Sequence, residues 1–549
     1  MPLQKNQVLT LQVERLSSDG SGVAHSPEGE TVFIPGAAPG DEARVRIVKD
    51  CKRYAFGILD EVLKPSPDRI PVDCAVAGPC GGCSLRHLDY AAELRAKQEN
   101  VADAFARIGG LDVPVLPIVG SPEIDRYRNK VQFPVGTDKA GRPCIGFYAG
   151  RTHRIVPCPD CRLQPGVLNE IGNTLCAFFA EKGIHPYNEE TGKGLVRHIF
   201  LRRGAHSGQI MVCLVSTRAK IPSADELCTR LKEAFPDIVT ILLNVNAKNT
   251  NVILGSETHT LYGQGYIEDT LCGVPVQLGP LSFYQVNTLA AEQLYGIAAE
   301  YAQLTPDDLL LDLYCGMGTI GLSMADHCRE LVGVEIVPEA IESAKANAAR
   351  MGAAVSAKSR FFCADAGQAA AQLAAEGLHP DVVMLDPPRK GCDEATLSAV
   401  VRMAPRRVVY VSCNPATAAR DAAWLEQNGY HAEKVQPVDL FPRTKHVETV
   451  CLLSKLNVKH HIEVEITMDE LDLTAAESKA TYDEIKAYVL EKFGFKVSQL
   501  YIAQIKRKCG IIERKNYNQS KKEDAKVPKC PPEKEAAIMD ALKHFQMIP

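Results

Sequence analysis

The stretch that decides the fold is Leu309-Leu310-Leu311-Asp312-Leu313-Tyr314-Cys315-Gly316-Met317-Gly318-Thr319. Its apolar half is typical of a buried strand, and its second half is a glycine turn that opens a helix over residues 320–327. Glycines let the backbone approach a ligand closely, and the start of a helix favours negative charge. The stretch therefore predicts a cofactor turn, which on its own suits a nicotinamide cofactor as well as S-adenosylmethionine.

Three further strand ends follow this turn along the chain. Glu335 ends the next strand, where a carboxylate can bind the ribose hydroxyls of either cofactor. Asp365 follows a third strand, and the turn Asp386-Pro387-Pro388-Arg389 follows a fourth. Helices between the strands predict a parallel, doubly wound sheet, and the ordered series of acids favours S-adenosylmethionine. Each acid alone could instead cap a turn or a helix.

A thiol stands at the end of a later strand of the same predicted sheet. Cys413 lies in Val409-Tyr410-Val411-Ser412-Cys413-Asn414-Pro415, whose Asn-Pro turn leaves the thiol exposed at the strand end. Cys392, which follows the basic loop after Asp386, is a rival thiol. Either cysteine could instead be a small buried core residue.

A thiol beside a methyl donor predicts covalent activation of a pyrimidine ring. Addition of the thiolate to C6 of uracil makes C5 nucleophilic toward the methyl group, and a base must then remove the C5 proton. Glu448, between a helix and the strand over residues 450–453, is the candidate base. On periodicity alone, Glu448 would more often be a solvated strand residue.

Cysteines gather in two segments nearer the N-terminus. Cys74, Cys80 and Cys83 lie close together in the sequence, and Cys158 and Cys161 follow later. The chain has 19 cysteines and its start lacks an apolar signal core, which favours the cytoplasm and metal ligation over disulfides. Four thiolates suit zinc and an iron–sulfur cluster equally.

Length and composition predict several soluble domains. A chain of 549 residues exceeds a single core, and 46% hydrophobic with 23% charged residues is ordinary for a globular protein. No apolar run approaches the roughly 20 residues of a membrane span. The patterns predict four domains. Residues 1–65 form an oligonucleotide-binding-like β-barrel, and residues 66–275 form an α+β central domain that includes a helix within 90–120. Residues 276–456 form the doubly wound domain, and residues 465–549 form a helical module.

Basic and aromatic residues occur in short bursts in the central region. Arg126-Tyr127-Arg128-Asn129-Lys130 is one, and others lie at 151–154, 197–198 and 202–203. Such bursts can grip phosphates and stack bases, although solvated strand edges carry similar residues. The net charge of −5 argues weakly against a large polyanionic partner. The basic tail is an RNA-docking arm or a module for a protein partner.

The motifs in combination resemble the bacterial RNA uracil-C5 methyltransferases, from residue 1 to about 455. The resemblance rests on Ser412-Cys413-Asn414-Pro415, the Asp386 turn, His446-Val447-Glu448 and Ser282-Phe283-Tyr284-Gln285-Val286-Asn287. It implies a class I methyltransferase fold, Cys413 as nucleophile and Glu448 as proton acceptor. The residues expected around the cofactor and the target base are Gln285, Tyr314, Glu335, Asp386, Asp312, Gly316 and Asp365.

The resemblance also implies the metal and the substrate. The cysteine spacing is similar to the [4Fe–4S] site of the ribosomal RNA members, with Cys74, Cys80, Cys83 and Cys161 as ligands, Cys161 matching the context better than Cys158. The barrel resembles the RNA-binding TRAM module. Transfer-RNA members of the family usually lack both the TRAM module and the cluster, so the expected RNA partner is 23S rRNA. The protein is expected to be a cytoplasmic monomer that binds neither DNA nor membrane. A transfer-RNA enzyme, an amino-group methyltransferase and a non-catalytic RNA-binding protein remain alternatives.

Overall fold

The first sixty residues form a closed five-stranded barrel. The computed structural model describes residues 3–150, 152–248, 250–456, 482–509, 530–545 and 547. The barrel strands run in the order β1-β2-β3-β5-β4, and alternate residues fill a small apolar core. Their bounds are β1 Val8–Leu16, β2 Ser21–His25, β3 Thr31–Pro35, β4 Glu42–Asp50 and β5 Tyr54–Lys64.

A long helix follows the barrel and a short cysteine-bearing helix. The short helix is α1 (Ala77–Cys80), and α2 spans Tyr90–Asp103 before one wider π-helical turn over Ala104–Gly109. Val101 and Phe105 are buried in one cluster with the strands of the later α/β sheet. Ile108, expected on the apolar face, is 57% exposed, because the wider turn rotates the last residues away from that face.

The central region is a seven-stranded sheet in the order β12-β11-β10-β9-β6-β7-β8. Helices α3 (Gly166–Glu181) and α4 (Ala224–Ala234) contribute to the apolar cluster on one face of the sheet, and the hairpin β13–β14 contributes to the cluster on the other. The strands are β6 Lys130–Thr137, β7 Pro143–Tyr148, β8 Ile155–Pro157, β9 Val196–Arg203, β10 Ile210–Ser216, β11 Ile238–Val245, β12 Glu257–Tyr262, β13 Ile267–Leu271 and β14 Val274–Leu278.

The last part of the first unit is a second seven-stranded sheet, in the order β17-β16-β15-β18-β19-β21-β20. Five neighbouring strands are parallel, as predicted, and their carboxyl ends meet at one edge. The strands are β15 Leu309–Leu313, β16 Glu330–Glu335, β17 Ser359–Cys363, β18 Val382–Leu385, β19 Arg407–Ser412, β20 Tyr430–Val438 and β21 Glu448–Lys455. The helices are α5 Thr288–Ala302, α6 Thr319–Ser323, α7 Pro338–Met351, α8 Ala353–Lys358, α9 Ala366–Ala375, α10 Glu394–Met403 and α11 Pro415–Gln427.

The final strand of this sheet runs against its neighbours. β21 pairs antiparallel with both β19 and β20, an orientation that the sequence patterns did not predict. The reversal follows from the short connection between β20 and β21, which leaves no room for a crossover helix. It brings the start of β21 to the edge where the parallel strands end.

A second unit comprises residues 458–549. Its described part contains helices α12 (Tyr482–Phe493), α13 (Gln499–Lys508) and α14 (Pro532–His544), which share an apolar core. The predicted helical module over 465–549 therefore has helices where it is described, whereas residues 465–481 and the whole basic stretch 514–529 lie outside the described residues. Among the described residues, no helix is long and apolar enough to cross a membrane.

Candidate active site

The glycine turn after β15 has a backbone that few side chains tolerate. Tyr314, Gly316 and Gly318 have φ angles of 66°, 56° and 79°. A Cβ atom built on Gly316 would meet nothing within 4 Å, so its backbone faces open space. The turn can therefore take a ligand against its peptide groups, as the sequence predicted.

Asp312 lies beneath this turn and is almost wholly buried, at 1% exposure. One carboxylate oxygen, Oδ2, accepts a hydrogen bond of 3.0 Å from the Gly321 amide, whereas Oδ1 has no partner among the described residues. Burial raises the pKa of Asp312 to about 8, and the nearby Asp386 and Glu335 carboxylates act in the same direction. The unpaired oxygen is the type of acceptor that an ammonium group or a donor on a ligand would satisfy.

Glu335 and Asp365 end the next two strands in different ways. Glu335 accepts hydrogen bonds from the Gly316 and Val337 amides, at 3.2 and 3.0 Å, which fixes its carboxylate at the sheet edge. Asp365 caps α9 by accepting from the amides of Gly367 and Gln368. The exposed side chains of Ile336 and Phe362 lie beside these acids and offer apolar surface to a flat ring.

Together these groups fit S-adenosylmethionine: a glycine turn with open space, a fixed acid for ribose hydroxyls, apolar surface for adenine, and a buried unpaired carboxylate oxygen. The fit rests on the donor set and the shape of the turn.

The predicted Gln285 lies in a loop that leads into α5. The Asn129 amide donates 2.8 Å to the Gln285 carbonyl, and the Gln285 side chain reaches the Tyr295 hydroxyl. Tyr295 in turn lies 3.3 Å from the Thr319 hydroxyl at the glycine turn and feels the charges of Asp386 and Asp312. The structure therefore brings Gln285 to the same edge as the acids.

Cys413 and Glu448 lie side by side because of the reversed strand. Ser412 of β19 is paired with Thr449 of β21, and the Thr449 hydroxyl donates 3.2 Å to the Ser412 carbonyl. One step further along each strand, in opposite directions, are Cys413 and Glu448. Cys413 is half-buried and Glu448 is 7% exposed.

Charges around the thiol come from two acids and one base. Burial raises the pKa of Cys413, and so do the Glu448 and Asp386 carboxylates, whereas a hydrogen bond and the charge of Arg389 lower it. Burial also raises the pKa of Asp386 to about 7 and that of Glu448 to about 8. Burial and the neighbouring Asp386 carboxylate thus disfavour the ionised form of Glu448 in the free protein, and Arg389 is the compensating cation for the thiolate.

We expect the ionisation of Glu448 to oppose folding. Its pKa is above the ordinary value of 4.5, so the folded state is more stable with Glu448 neutral. This contribution to the free energy of unfolding is fully present below about pH 4.5 and is lost as the pH rises through about 8. Glu448→Gln should therefore unfold at a higher temperature than the wild type above pH 8, with a gain in unfolding free energy of up to about 5 kcal/mol, and the gain should shrink toward pH 5.

The measurement is the thermal unfolding midpoint of both proteins from pH 5 to pH 9. Glu376→Gln, at an exposed position in the same domain, is the matched control and should track the wild type at every pH. A constant difference between Glu448→Gln and wild type across this range would contradict a buried, high-pKa carboxyl.

The rival thiol, Cys392, is 6% exposed. Burial raises its pKa to about 12, and it hydrogen-bonds to the hydroxyls of Tyr314 and Tyr410. A protonated thiol held by two tyrosines suits packing rather than attack on a substrate.

The predicted metal ligands come from two segments that ion pairs hold together. Arg86 donates to Asp73 and Asp125 at 2.9 and 2.5 Å. Arg126 donates to Asp160 at 2.6 Å and to the Cys161 carbonyl at 2.9 Å. These pairs bring the segment of Cys74, Cys80 and Cys83 against that of Cys158 and Cys161.

The thiols of these segments are close enough to interact. Burial raises the pKa of Cys83 to about 11, with Cys161 and Cys80 acting in the same direction against Arg86. Cys158 and Cys161 share a hydrogen bond that lowers the pKa of Cys161 and raises that of Cys158. Within the part of the chain that the structure describes, however, no group of three or more His, Cys, Asp or Glu side chains has the geometry to hold a metal ion.

Sequence patterns did not predict the buried ionic network behind the base. Lys97 of α2 donates 2.7 Å to Glu93 and 2.8 Å to Asp439, and all three side chains are at most 2% exposed. The Arg443 amide donates 2.7 Å to Glu93 as well. This network fixes the loop over residues 439–447 that leads to Glu448. Glu93 and Lys97 are four residues apart on a predicted helix, but this spacing is typical of an ordinary ion pair on a helix surface and did not indicate burial.

The fold and the site define a class: a Rossmann-like methyltransferase with an N-terminal β-barrel. The family profile described as tRNA (Uracil-5-)-methyltransferase matches residues 277–456, and that of the TRAM domain matches residues 2–59. An uncharacterized RNA methyltransferase of Halalkalibacterium halodurans is 43% identical over 457 residues, covering 83% of this chain and 99% of the relative. One from Oceanobacillus iheyensis is 42% identical over 455 residues, covering 82% and 98%.

A solved structure has the same architecture. The tRNA (uracil-54, C5)-methyltransferase of Pyrococcus abyssi, in complex with S-adenosyl-L-homocysteine, is 27% identical with a TM-score of 0.65, covering 81% of this chain and 100% of that chain. The chain belongs to the family of S-adenosylmethionine-dependent RNA uracil-C5 methyltransferases that carry a TRAM domain. The predicted enzyme class and the predicted use of S-adenosylmethionine are thereby confirmed.

Proposed function

We propose that this enzyme makes 5-methyluridine in 23S rRNA, with Cys413 as nucleophile and Glu448 as base. The observation that carries the proposal is the register of β19 and β21, which sets the thiol and the carboxyl next to each other beside Asp386 and Arg389. An amino-group methyltransferase would need no thiol at this position.

Each residue has one task in the reaction. Bound S-adenosylmethionine supplies an electrophilic methyl group. The Cys413 thiolate, favoured by the hydrogen bond from Arg389, adds to C6 of the uracil ring, and the electron pair moves toward C5. After methylation at C5, ionised Glu448 accepts the C5 proton, the C5–C6 double bond reforms, and the thiolate leaves. Gln285 and Asp386 hold the ring and the cofactor in place.

Two RNAs compete as the substrate. The gathered cysteines, through the resemblance to the ribosomal RNA members, favour 23S rRNA, whereas the solved neighbour of the same architecture from Pyrococcus abyssi is a tRNA enzyme by its title. The test is to map 5-methyluridine in 23S rRNA and in tRNA from cells with and without the gene. Loss of a 5-methyluridine from 23S rRNA supports the proposal, and loss from tRNA alone replaces it with the tRNA assignment.

We further propose that the gathered cysteines bind a [4Fe–4S] cluster. The support is the donor set: thiols from two segments that interact with one another and lie beside Arg86, which hydrogen-bonds Cys83 and offsets thiolate charge. Four protein thiolates leave no open coordination position, so the cluster would stabilise the fold around residues 74–86 and 158–161 without entering the methyl transfer.

We expect anaerobically purified protein to contain about four iron atoms per chain and to absorb near-ultraviolet and visible light as such clusters do. Cys161→Ser should lose most of the iron, whereas Cys158→Ser should keep it. Iron and zinc content by elemental analysis is the measurement. Stoichiometric zinc in place of iron would contradict the cluster, and equal iron loss in both variants would contradict Cys161 as the specific ligand.

A further inference from the structure

Three cationic side chains lie together on the central sheet, and no ion pair joins any of them to an acid within the described ranges of the chain. Lys130 of β6 is paired with Arg202 of β9, so the two side chains lie on the same face of the sheet. Arg128 comes two residues before Lys130 and acts on the Lys130 ammonium electrostatically. We call Arg128, Lys130 and Arg202 the cationic cluster.

Part of the hydrogen-bonding capacity of the cationic cluster has no partner among the described residues. Nε of Arg128 and Nε of Arg202 are buried without a hydrogen-bond partner among the described residues. Arg202 is 1% exposed, and its two Nη atoms donate hydrogen bonds to the Gly279 and Ser282 carbonyls at 2.9 and 2.7 Å. Lys130 forms no hydrogen bond or ion pair with any residue that the structure describes. Arg202 is buried, and Arg128 and Lys130 are half-buried. Gathering three such cations without a counter-ion is costly, which favours binding of an anion from outside.

The pKa of Lys130 reflects these surroundings. Burial and the two arginines lower it to about 8, and burial is the larger cause. An anion next to Lys130 would remove this unfavourable effect, and a phosphate would accept from the ammonium and from Arg128 at the same time.

Positive charge continues from the cationic cluster to the active site. Burial lowers the pKa of His446, and the charges that act with it are those of Arg389, Lys445, Lys97 and Arg128, all of them cations. Arg389 is also the hydrogen-bond partner of Cys413. Lys97 is ion-paired with Glu93 and Asp439, so Arg128, Lys445 and Arg389 carry the positive charge from the central sheet past His446 to the nucleophile. This is the arrangement that a polyanionic strand follows.

We propose that Arg128 and Lys130, supported by Arg202, bind a backbone phosphate of single-stranded RNA beside the target nucleotide. A phosphate held there would set how far the strand enters the site and would hold it while one base turns into the pocket. The inference rests on the proposed function for the identity of the ligand, because a methyltransferase that acts on RNA must grip its backbone.

The competing explanation is that the cluster offsets the charge of the cysteine site. Arg128 lowers the pKa of Cys161, after larger effects from Cys158 and others, so it does act on a thiol. The charge acting on Lys130 comes from Arg202 and Arg128, and no cysteine acts on it. Lys130 is therefore the position that separates the two explanations.

The test compares Lys130→Gln with wild type for binding of a single-stranded oligoribonucleotide at several salt concentrations. One lost phosphate contact should weaken binding about fivefold at 0.1 M salt and should reduce the salt slope by about 0.7. The matched control is Lys139→Gln, an exposed lysine in the turn after β6, which should bind like wild type. Binding of S-adenosyl-L-homocysteine and iron content should be unchanged in both variants.

Neutral methylphosphonate linkages locate the phosphate. One substitution near the target uridine should weaken wild type as much as Lys130→Gln does, and combining the two should cost nothing further. Equal RNA affinity of wild type and Lys130→Gln, or fully additive losses at every linkage, would overturn the site. A changed iron content in Lys130→Gln would overturn it in favour of the cysteine-site explanation. None of these outcomes depends on methylation, so absence of 5-methyluridine would reject the proposed function alone.

Discussion

Cys413→Ala is expected to abolish methylation of uridine in RNA. The thiolate that makes C5 nucleophilic is lost, and no other group at the strand end can replace it, because Cys392 is buried and held by two tyrosines. For a covalent nucleophile, we expect a loss of about 10⁴-fold or more in the rate of methyl transfer. The measurement is single-turnover transfer of a labelled methyl group to RNA.

The same variant should fail to form a trapped complex with RNA that carries 5-fluorouridine at the target position. Fluorine replaces the proton that Glu448 must remove, so wild type should remain attached through Cys413. Cys228→Ala, which lies on α4 of the central region, should methylate and trap like wild type. Undiminished methylation by Cys413→Ala would reject the covalent mechanism and favour methylation of an exocyclic amine.

Glu448→Gln should stop the reaction after the methyl group has been transferred. Glutamine keeps the shape of the side chain but cannot accept the C5 proton, so turnover should fall by about 10²- to 10⁴-fold. Since addition of the thiolate does not require this carboxylate, a covalent adduct with ordinary uridine RNA should accumulate. A band that resists denaturation, contains RNA, and carries the labelled methyl group is the expected result on a denaturing gel.

The matched control for this experiment is again Glu376→Gln, which should turn over normally and accumulate no adduct. If Glu448→Gln shows slow turnover without any adduct, the carboxyl acts before methyl transfer, for example on the thiol proton. Normal turnover would remove Glu448 from the mechanism altogether.

Strand ends explain why much of the site could be predicted. Asp312, Glu335 and Asp386 each follow an apolar run, and parallel strands place such residues at one edge without further information. The pairing of Cys413 with Glu448 was harder to predict from pattern, because it depends on the reversal of β21. Resemblance to a family supplied Glu448 where periodicity favoured a solvated residue.

Contacts between distant parts of the chain were beyond the sequence patterns. The burial of Lys97 requires Asp439, which lies in a different domain of the predicted scheme. Likewise, nothing local marks Arg202 as a buried cation, since its surroundings depend on the loop that supplies the Gly279 and Ser282 carbonyls. Only tertiary structure shows that these charges lack water.

The packing of α2 on the second sheet also bears on where this protein can be cut. A fragment that starts at residue 277, where the family match begins, would uncover the apolar surface that Val101 and Phe105 cover. It would also leave Asp439 without Lys97. We therefore expect a fragment to fold stably only if it includes α2 together with the second sheet, although the two are far apart in sequence.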